Sequence, residues 1–177
     1  MWHPWRFRGA PASGIIIDVH QEKASAEFQS ALHFLDSLVD LERLRHHPGM
    51  QPYRLDRMRL LLQRMGLPRP GQRFIQVVGS KGKGSTCAML EAVLKAAGYR
   101  VGMFCKPHLF SPRERIRLAA EAIDQACFAA AAAQVQRYAE EAARVGEGRL
   151  TYFEAITAMA IWFWAESGVQ VGVLEAG

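Results

Sequence analysis

The residues with the clearest chemical potential are Gly79-Ser80-Lys81-Gly82-Lys83-Gly84-Ser85-Thr86. Three glycines let the backbone turn tightly and aim its N–H groups inward at an anion. A lysine inside such a loop adds a point charge for outer phosphates, and a hydroxyl can meet a metal. The spacing differs from the usual G-x-x-x-x-G-K-[ST], because Gly84 separates Lys83 from Ser85. Phe74 to Val78 is a short β-branched apolar run, which predicts a buried strand ending at Gly79. From Ser85 the apolar residues Ala88, Leu90, Val93, Leu94 and Ala97 recur at helical spacing and close on Gly98. Strand, glycine loop and helix start together read as a nucleoside triphosphate site.

The remaining elements must carry that loop. Residues 25 to 45 show helical spacing through Phe28, Leu32, Leu35, Leu38, Leu41 and Leu44, and the segment His46 to Pro52 breaks it. A second amphipathic helix with Leu55, Met58, Leu61, Leu62 and Met65 stops at Gly66 and Pro68. Beyond the loop, Tyr99 to Phe104 predicts a strand and Ile116 to Leu118 a short extended piece. Ala122 to Ala143 predicts a packed, alanine-rich helix, broken by Gly146 and Gly148. Thr151 caps a further helix running to about Glu166, and Val169 to Leu174 predicts a last strand ending at Glu175. Strand, helix, strand, helices, strand describes an α/β fold: a parallel sheet covered by helices. Residues 1–24 read as a loose N-terminal extension.

Composition removes other classes. The chain has 177 residues, half of them hydrophobic and 22% charged, which suits one globular domain and excludes disorder. The longest charge-free apolar run, Ala155 to Ala165, is eleven residues, against about 20 for a bilayer span. Three cysteines without a C-x-x-C pair argue against a disulfide framework or a zinc site. The run Gly14 to Ile17 is too short for a signal-peptide core of about 7–15 residues, so the cytoplasm is the expected compartment. Lys+Arg 22 against Asp+Glu 17 gives a net charge of +5, which suits polyanionic ligands or a plain solvated surface. No RNA- or DNA-binding module signature appears, and nucleic acid and membrane partners are not expected.

The loop GSKGKGST resembles the G-T-[NK]-G-K-G-S-T loop of the folylpolyglutamate and dihydrofolate synthases of the Mur ligase superfamily. The resemblance extends to Leu55-Asp56-Arg57-Met58, to KPHLFSPRERIR (Lys106 to Arg117), to LTYFE (Leu150 to Glu154) and to VLEAG (Val173 to Gly177). These blocks run in the family's order over roughly residues 25 to 177. They imply a helical lead-in over 25–70, a phosphate-loop α/β core over 74–177, and only the N-terminal portion of the family's architecture. They also imply a MgATP-dependent ligase that phosphorylates a folate or dihydropteroate carboxylate and joins it to L-glutamate. The resemblance further implies a protein that is a monomer when full length.

Carried over residue by residue, Gly79, Gly82, Lys83, Gly84, Ser85 and Thr86 bind ATP phosphates. Lys83 is the catalytic cation that neutralises charge on the moving phosphoryl group. Glu175 is the expected Mg²⁺ ligand, an oxygen donor at the carboxyl end of a strand where ligands of open α/β sheets gather. Thr151, Tyr152 and Phe153 fall at the family's pteridine-side contacts; taken alone they read as a helix cap and core. Another substrate-side segment falls around Met50 to Tyr53. His108 and Arg115 sit in the intervening loop with structural and functional roles equally open.

Lys106 stands where the family's S-P-H-L motif has a metal-binding serine. An ammonium has no acceptor lone pair. Either it turns toward phosphate while water completes the metal's coordination, or the metal geometry differs. The family's further metal-binding histidine, modified lysine, adenine contacts and glutamate-binding domain would all lie beyond Gly177, so the 177 residues alone are expected to be inactive as a ligase. Two other readings compete: a different phosphate-loop small-molecule kinase, and a non-catalytic nucleotide-binding remnant.

Overall fold

The computed structural model describes residues 19–40, 55–144 and 148–176. The expected N-terminal extension (residues 1–18 of it), Leu41, Leu44, the breaker segment from His46, the segment Met50 to Tyr53 and Gly146 lie outside the described residues. The described elements, in chain order, are α1 (Val19–Asp36), α2 (Leu55–Arg64), β1 (Arg73–Val77), α3 (Lys83–Ala96), β2 (Val101–Phe104), a 3-10 turn (Pro112–Arg115), β3 (Ile116–Leu118), β4 (Glu121–Ala122), α4 (Gln125–Arg144), α5 (Tyr152–Glu166) and β5 (Val171–Glu175).

The sheet runs in the order β1-β5-β2-β3-β4. Its first three strands are parallel, with Val77 opposite Glu175 and Phe104 opposite Leu174. That register brings the carboxyl ends of β1, β5 and β2 to one edge, where the phosphate loop, Glu175 and Lys106 emerge. The other half of the sheet departs from an all-parallel arrangement: β3 pairs antiparallel with β2, and β4 antiparallel with β3. The physical reason is the connection. Only a loop and a 3-10 turn join β2 to β3, with no crossover helix to carry the chain back for parallel pairing. The β3–β4 turn uses Ala119 and Ala120 at φ 52° and 76°, a left-handed pair normally built from Asn and Gly. Glu91, buried on α3, accepts the Ala120 N–H at 2.8 Å and holds that turn in place.

Helices cover both faces of the sheet. On one side the main core gathers α1, α2, α4 and α5, with Trp164 fully buried against the strands. A side chain at Gly102 would collide with the Trp164 indole, and one at Gly172 would meet Phe74 and Trp164 at 2.8–2.9 Å. The two strand glycines therefore make room for one tryptophan, whose Nε1–H donates to the Arg117 carbonyl at 3.0 Å. Truncating a residue of this kind costs about 3–5 kcal/mol, so Trp164 is a principal tie between helix and sheet. The alanine-rich α4 buries Ala129, Ala131 and Ala132 with Phe128 and Val135, and Phe28 of α1 meets the Phe128 ring edge-on at 5.5 Å. On the other side α3 packs through Cys87 onto Val101, Met103 and Val173.

The first helix ends earlier than its leucine spacing predicts. It stops at Asp36, and Val39 forms a parallel bridge with Thr151, its carbonyl accepting the Tyr152 N–H at 3.0 Å. A tertiary backbone pairing wins over local helical periodicity here, and it fixes the entry to α5.

Candidate functional site

The phosphate loop ends in an open helix start. Gly82 caps α3 at φ 72°, a left-handed conformation that favours glycine, and no side chain caps the helix. The first amide groups of α3 therefore face outward without an internal side-chain acceptor, which suits an anion. Lys83 lies at the head of α3 and its Nζ donates to the Gly79 carbonyl at 2.9 Å, closing the loop on itself. The Thr86 hydroxyl donates to the Gly82 carbonyl at 2.9 Å, while Ser85 is exposed in the first turn of α3. Gly79, Gly82, Lys83, Gly84, Ser85 and Thr86 thus form one continuous rim.

Glu175 faces that rim. It is 7% exposed, and its Oε2 would lie 3.7 Å from a side chain added at Gly84. The bare Gly84 backbone thus leaves a carboxylate close to the helix start. The Lys106 N–H donates to Glu175 Oε2 at 3.2 Å. Among the described residues no cluster of three His, Cys, Asp or Glu side chains could hold a metal. One carboxylate beside a phosphate cradle nevertheless fits Mg²⁺, which usually keeps waters and draws other oxygens from the substrate's phosphates. Two thiols near this edge are poor nucleophiles. Burial, reinforced by the Glu175 charge, pushes Cys87 up to about 11, and burial likewise raises Cys105.

The Lys106 ammonium lies 5.2 Å above the Phe153 ring centre, and Phe104 meets the same ring edge-on at 5.9 Å. Phosphate loop, Glu175, Lys106 and Phe153 therefore form one chain of contacts. Thr151 and Tyr152 belong to a second group. The Thr151 hydroxyl is committed to Glu154, donating to Oε2 at 2.9 Å and accepting the Glu154 N–H at 3.3 Å. Tyr152 is buried under the Arg115 guanidinium, 5.3 Å from its ring centre, and Arg115 Nε donates to His108 Nδ1 at 2.9 Å. Tyr152 and His108 also line a cleft of about 200 Å³ with Leu35, Leu38, Asp36 and Asp40.

One structural support of the site has no local mark in the sequence. Arg57 Nε and Nη2 grip both oxygens of Glu154 at 2.7–3.2 Å, with both side chains 9% exposed. This fork ties α2 to the first turn of α5 and sets where Thr151, Tyr152 and Phe153 stand. The threonine-to-glutamate spacing signals the cap, but nothing local marks a partner 97 positions away.

No protein-family model matches the chain. Among curated proteins, it is 40% identical over 151 residues to the probable bifunctional folylpolyglutamate synthase/dihydropteroate synthase of Haloferax volcanii, covering 85% of this chain and 17% of that one. It is 34% identical over 155 residues to the dihydrofolate synthase/folylpolyglutamate synthase of Escherichia coli, covering 88% of this chain and 33% of that one. The chain therefore spans a sixth to a third of the length of these relatives. Among solved structures, E. coli FolC in complex with DHPP and ADP superposes with a TM-score of 0.70 at 32% identity, covering 87% of this chain and 34% of that one.

Proposed function

Because the chain belongs to the folylpolyglutamate and dihydrofolate synthase family, we propose that it supplies the ATP-binding portion of a ligase that adds L-glutamate to folate, to dihydropteroate, or to both. The reaction is phosphoryl transfer to a carboxylate, followed by attack of the glutamate amine on the acyl phosphate. Such transfer demands positioning and charge neutralisation more than covalent help from the protein. Gly79 and the segment Gly82 to Thr86 hold the phosphates, and Lys83 turns from the Gly79 carbonyl to the moving phosphoryl group. Glu175 would hold Mg²⁺, which when bound neutralises phosphate charge. Phe153 offers a flat face to the acceptor's ring system, and Thr151 and Tyr152 complete the substrate-side segment next to it in the chain. The helical lead-in over 25–70 supports the phosphate-loop core over 74–177. The compartment is the cytoplasm, and the complete protein works as a monomer.

The observation that carries this reading is the buried Glu175 carboxylate beside Gly84, at the uncapped start of α3. A calorimetric titration with AMPPCP and Mg²⁺ tests it. Lys83→Ala and Glu175→Gln are each expected to weaken binding at least about tenfold, since charged hydrogen bonds contribute about 1.5–3 kcal/mol. Unchanged affinity in both variants would overturn the reading. The 177 residues alone are expected to release no ADP in response to glutamate above the level of Lys83→Ala. Glutamate-dependent release would show that this stretch is already a complete ligase.

A further inference from the structure

We propose that Lys106 determines acceptor specificity at this site, selecting a molecule that presents a carboxylate. The inference rests on the ligase reading above and adds a residue to it. Two of the attachments of Lys106 lead in different directions. Its backbone N–H is fixed to Glu175 Oε2 at 3.2 Å, at the nucleotide end of the site. Its side chain extends to the Phe153 ring, where Nζ sits 5.2 Å from the centre. One half-buried residue therefore spans the gap between the phosphate rim and the aromatic surface. An acceptor lying on Phe153 with its reacting group toward Lys83 would pass along this side chain.

The chemistry gives the ammonium its purpose. Phosphorylating a carboxylate brings two anions together, whereas phosphorylating a neutral hydroxyl group does not. A cation between them lowers that repulsion, most strongly where water is partly excluded. Lys83 closes the loop on Gly79, Arg113 donates to the Ile123 carbonyl, and Arg115 donates to His108, whereas the Lys106 ammonium lies over the Phe153 ring. Compared with a contact to a ring face, a charge-assisted hydrogen bond to a carboxylate is the stronger attachment. When an acidic acceptor arrives, the ammonium leaves the ring face and pairs with it. A neutral analogue offers no such exchange.

The test compares pteroic acid with its methyl ester, binding to the chain in saturating AMPPCP and Mg²⁺. The unaltered protein is expected to favour the acid about tenfold, the size of one charge-assisted contact. Lys106→Met keeps the stem's length and removes the charge; it should abolish the preference, and Lys106→Arg should retain it. Circular dichroism establishes that the variants fold, and Lys106→Gln replaces the methionine variant if that one does not. A merely structural lysine would weaken acid and ester alike and leave their ratio unchanged, which overturns the proposal. If the unaltered chain binds AMPPCP but neither pterin compound, the acceptor reading of this site fails, and this inference with it.

Discussion

The starts of α3 and α5 solve the same problem in opposite ways. Each leaves backbone N–H groups that the helix cannot satisfy itself. At α5, Thr151 and Glu154 form a reciprocal capping box, and Arg57 grips the same carboxylate within the core. At α3, glycine stands at the cap with no side chain to serve. The first terminus is complete without a ligand; the second is left open at the end of β1, opposite Glu175. The contrast separates residues that hold the fold from residues available for chemistry, although the two sets lie on neighbouring elements.

The largest effect should come from dismantling the closed terminus. Glu154→Gln leaves the Arg57 guanidinium buried without its counter-charge, and breaking a buried pair from one side costs about 3–5 kcal/mol. Urea unfolding of this variant checks that figure, and a loss under about 1 kcal/mol would mean that the fork is ornamental. Thr151→Ala removes one cap hydroxyl and should cost less, about 1–2 kcal/mol. The two losses should not add, because both side chains meet at Glu154 Oε2.

The same contrast explains what could be read in advance. The glycines around Lys83 announce the open terminus locally, so the strand, loop and helix at residues 73–96 follow from spacing alone. The Thr151 cap and the stop of α2 before Gly66 are equally local signals, and the strands β1, β2 and β5 follow from their short apolar runs. What sequence did not disclose depends on distant partners. The end of α1 at Asp36 reflects the Val39–Thr151 bridge, and the β3–β4 turn places alanines where glycine would have advertised it. Arg57 looks like an exposed helical residue until Glu154 is found beside it. The position of the Lys106 ammonium over Phe153 depends likewise on a partner distant in sequence. Phe153 and Tyr152 are adjacent in sequence but serve different surroundings, a separation that only the packing reveals.

A smaller effect should follow from closing the open terminus. Gly82→Ala adds a side chain that meets nothing within 4 Å, so its cost is conformational alone. Left-handed strain of about 1–2 kcal/mol is partly offset by the stiffer unfolded chain, about 0.4–1 kcal/mol. The net loss should be about 1 kcal/mol, and Gly82→Asn should lose less because asparagine tolerates this conformation. Equal stability of all three proteins in urea would show that the cap is not held left-handed in solution.

The mildest perturbation is a change of pH at a second capping box, the one that opens the 3-10 turn. Here Glu114 accepts the N–H groups of Leu109, Phe110 and Ser111 at 2.8–3.0 Å, in a loop that leaves Leu109 and Phe110 exposed. The Leu109 amide first, then that of Ser111, and to a lesser degree that of Phe110, hold its carboxyl below the ordinary value of 4.5 against the opposing desolvation. A carboxyl whose pKa is lowered by folding stabilises the folded loop above the unfolded value and loses that support as pH falls through the folded one. The amide resonances of Leu109, Phe110 and Ser111 should therefore titrate together with a midpoint below 4.5. The buried box at Thr151 has the same threonine-or-serine and glutamate chemistry, but its carboxylate also carries the Arg57 fork. The exposed box should thus release its three amides as pH falls through the folded value of Glu114. Amide shifts of Leu109, Phe110 and Ser111 that stay unchanged through the acid range would mean that Glu114 does not hold this loop in solution, and the exposed box would then add nothing to the comparison of helix starts.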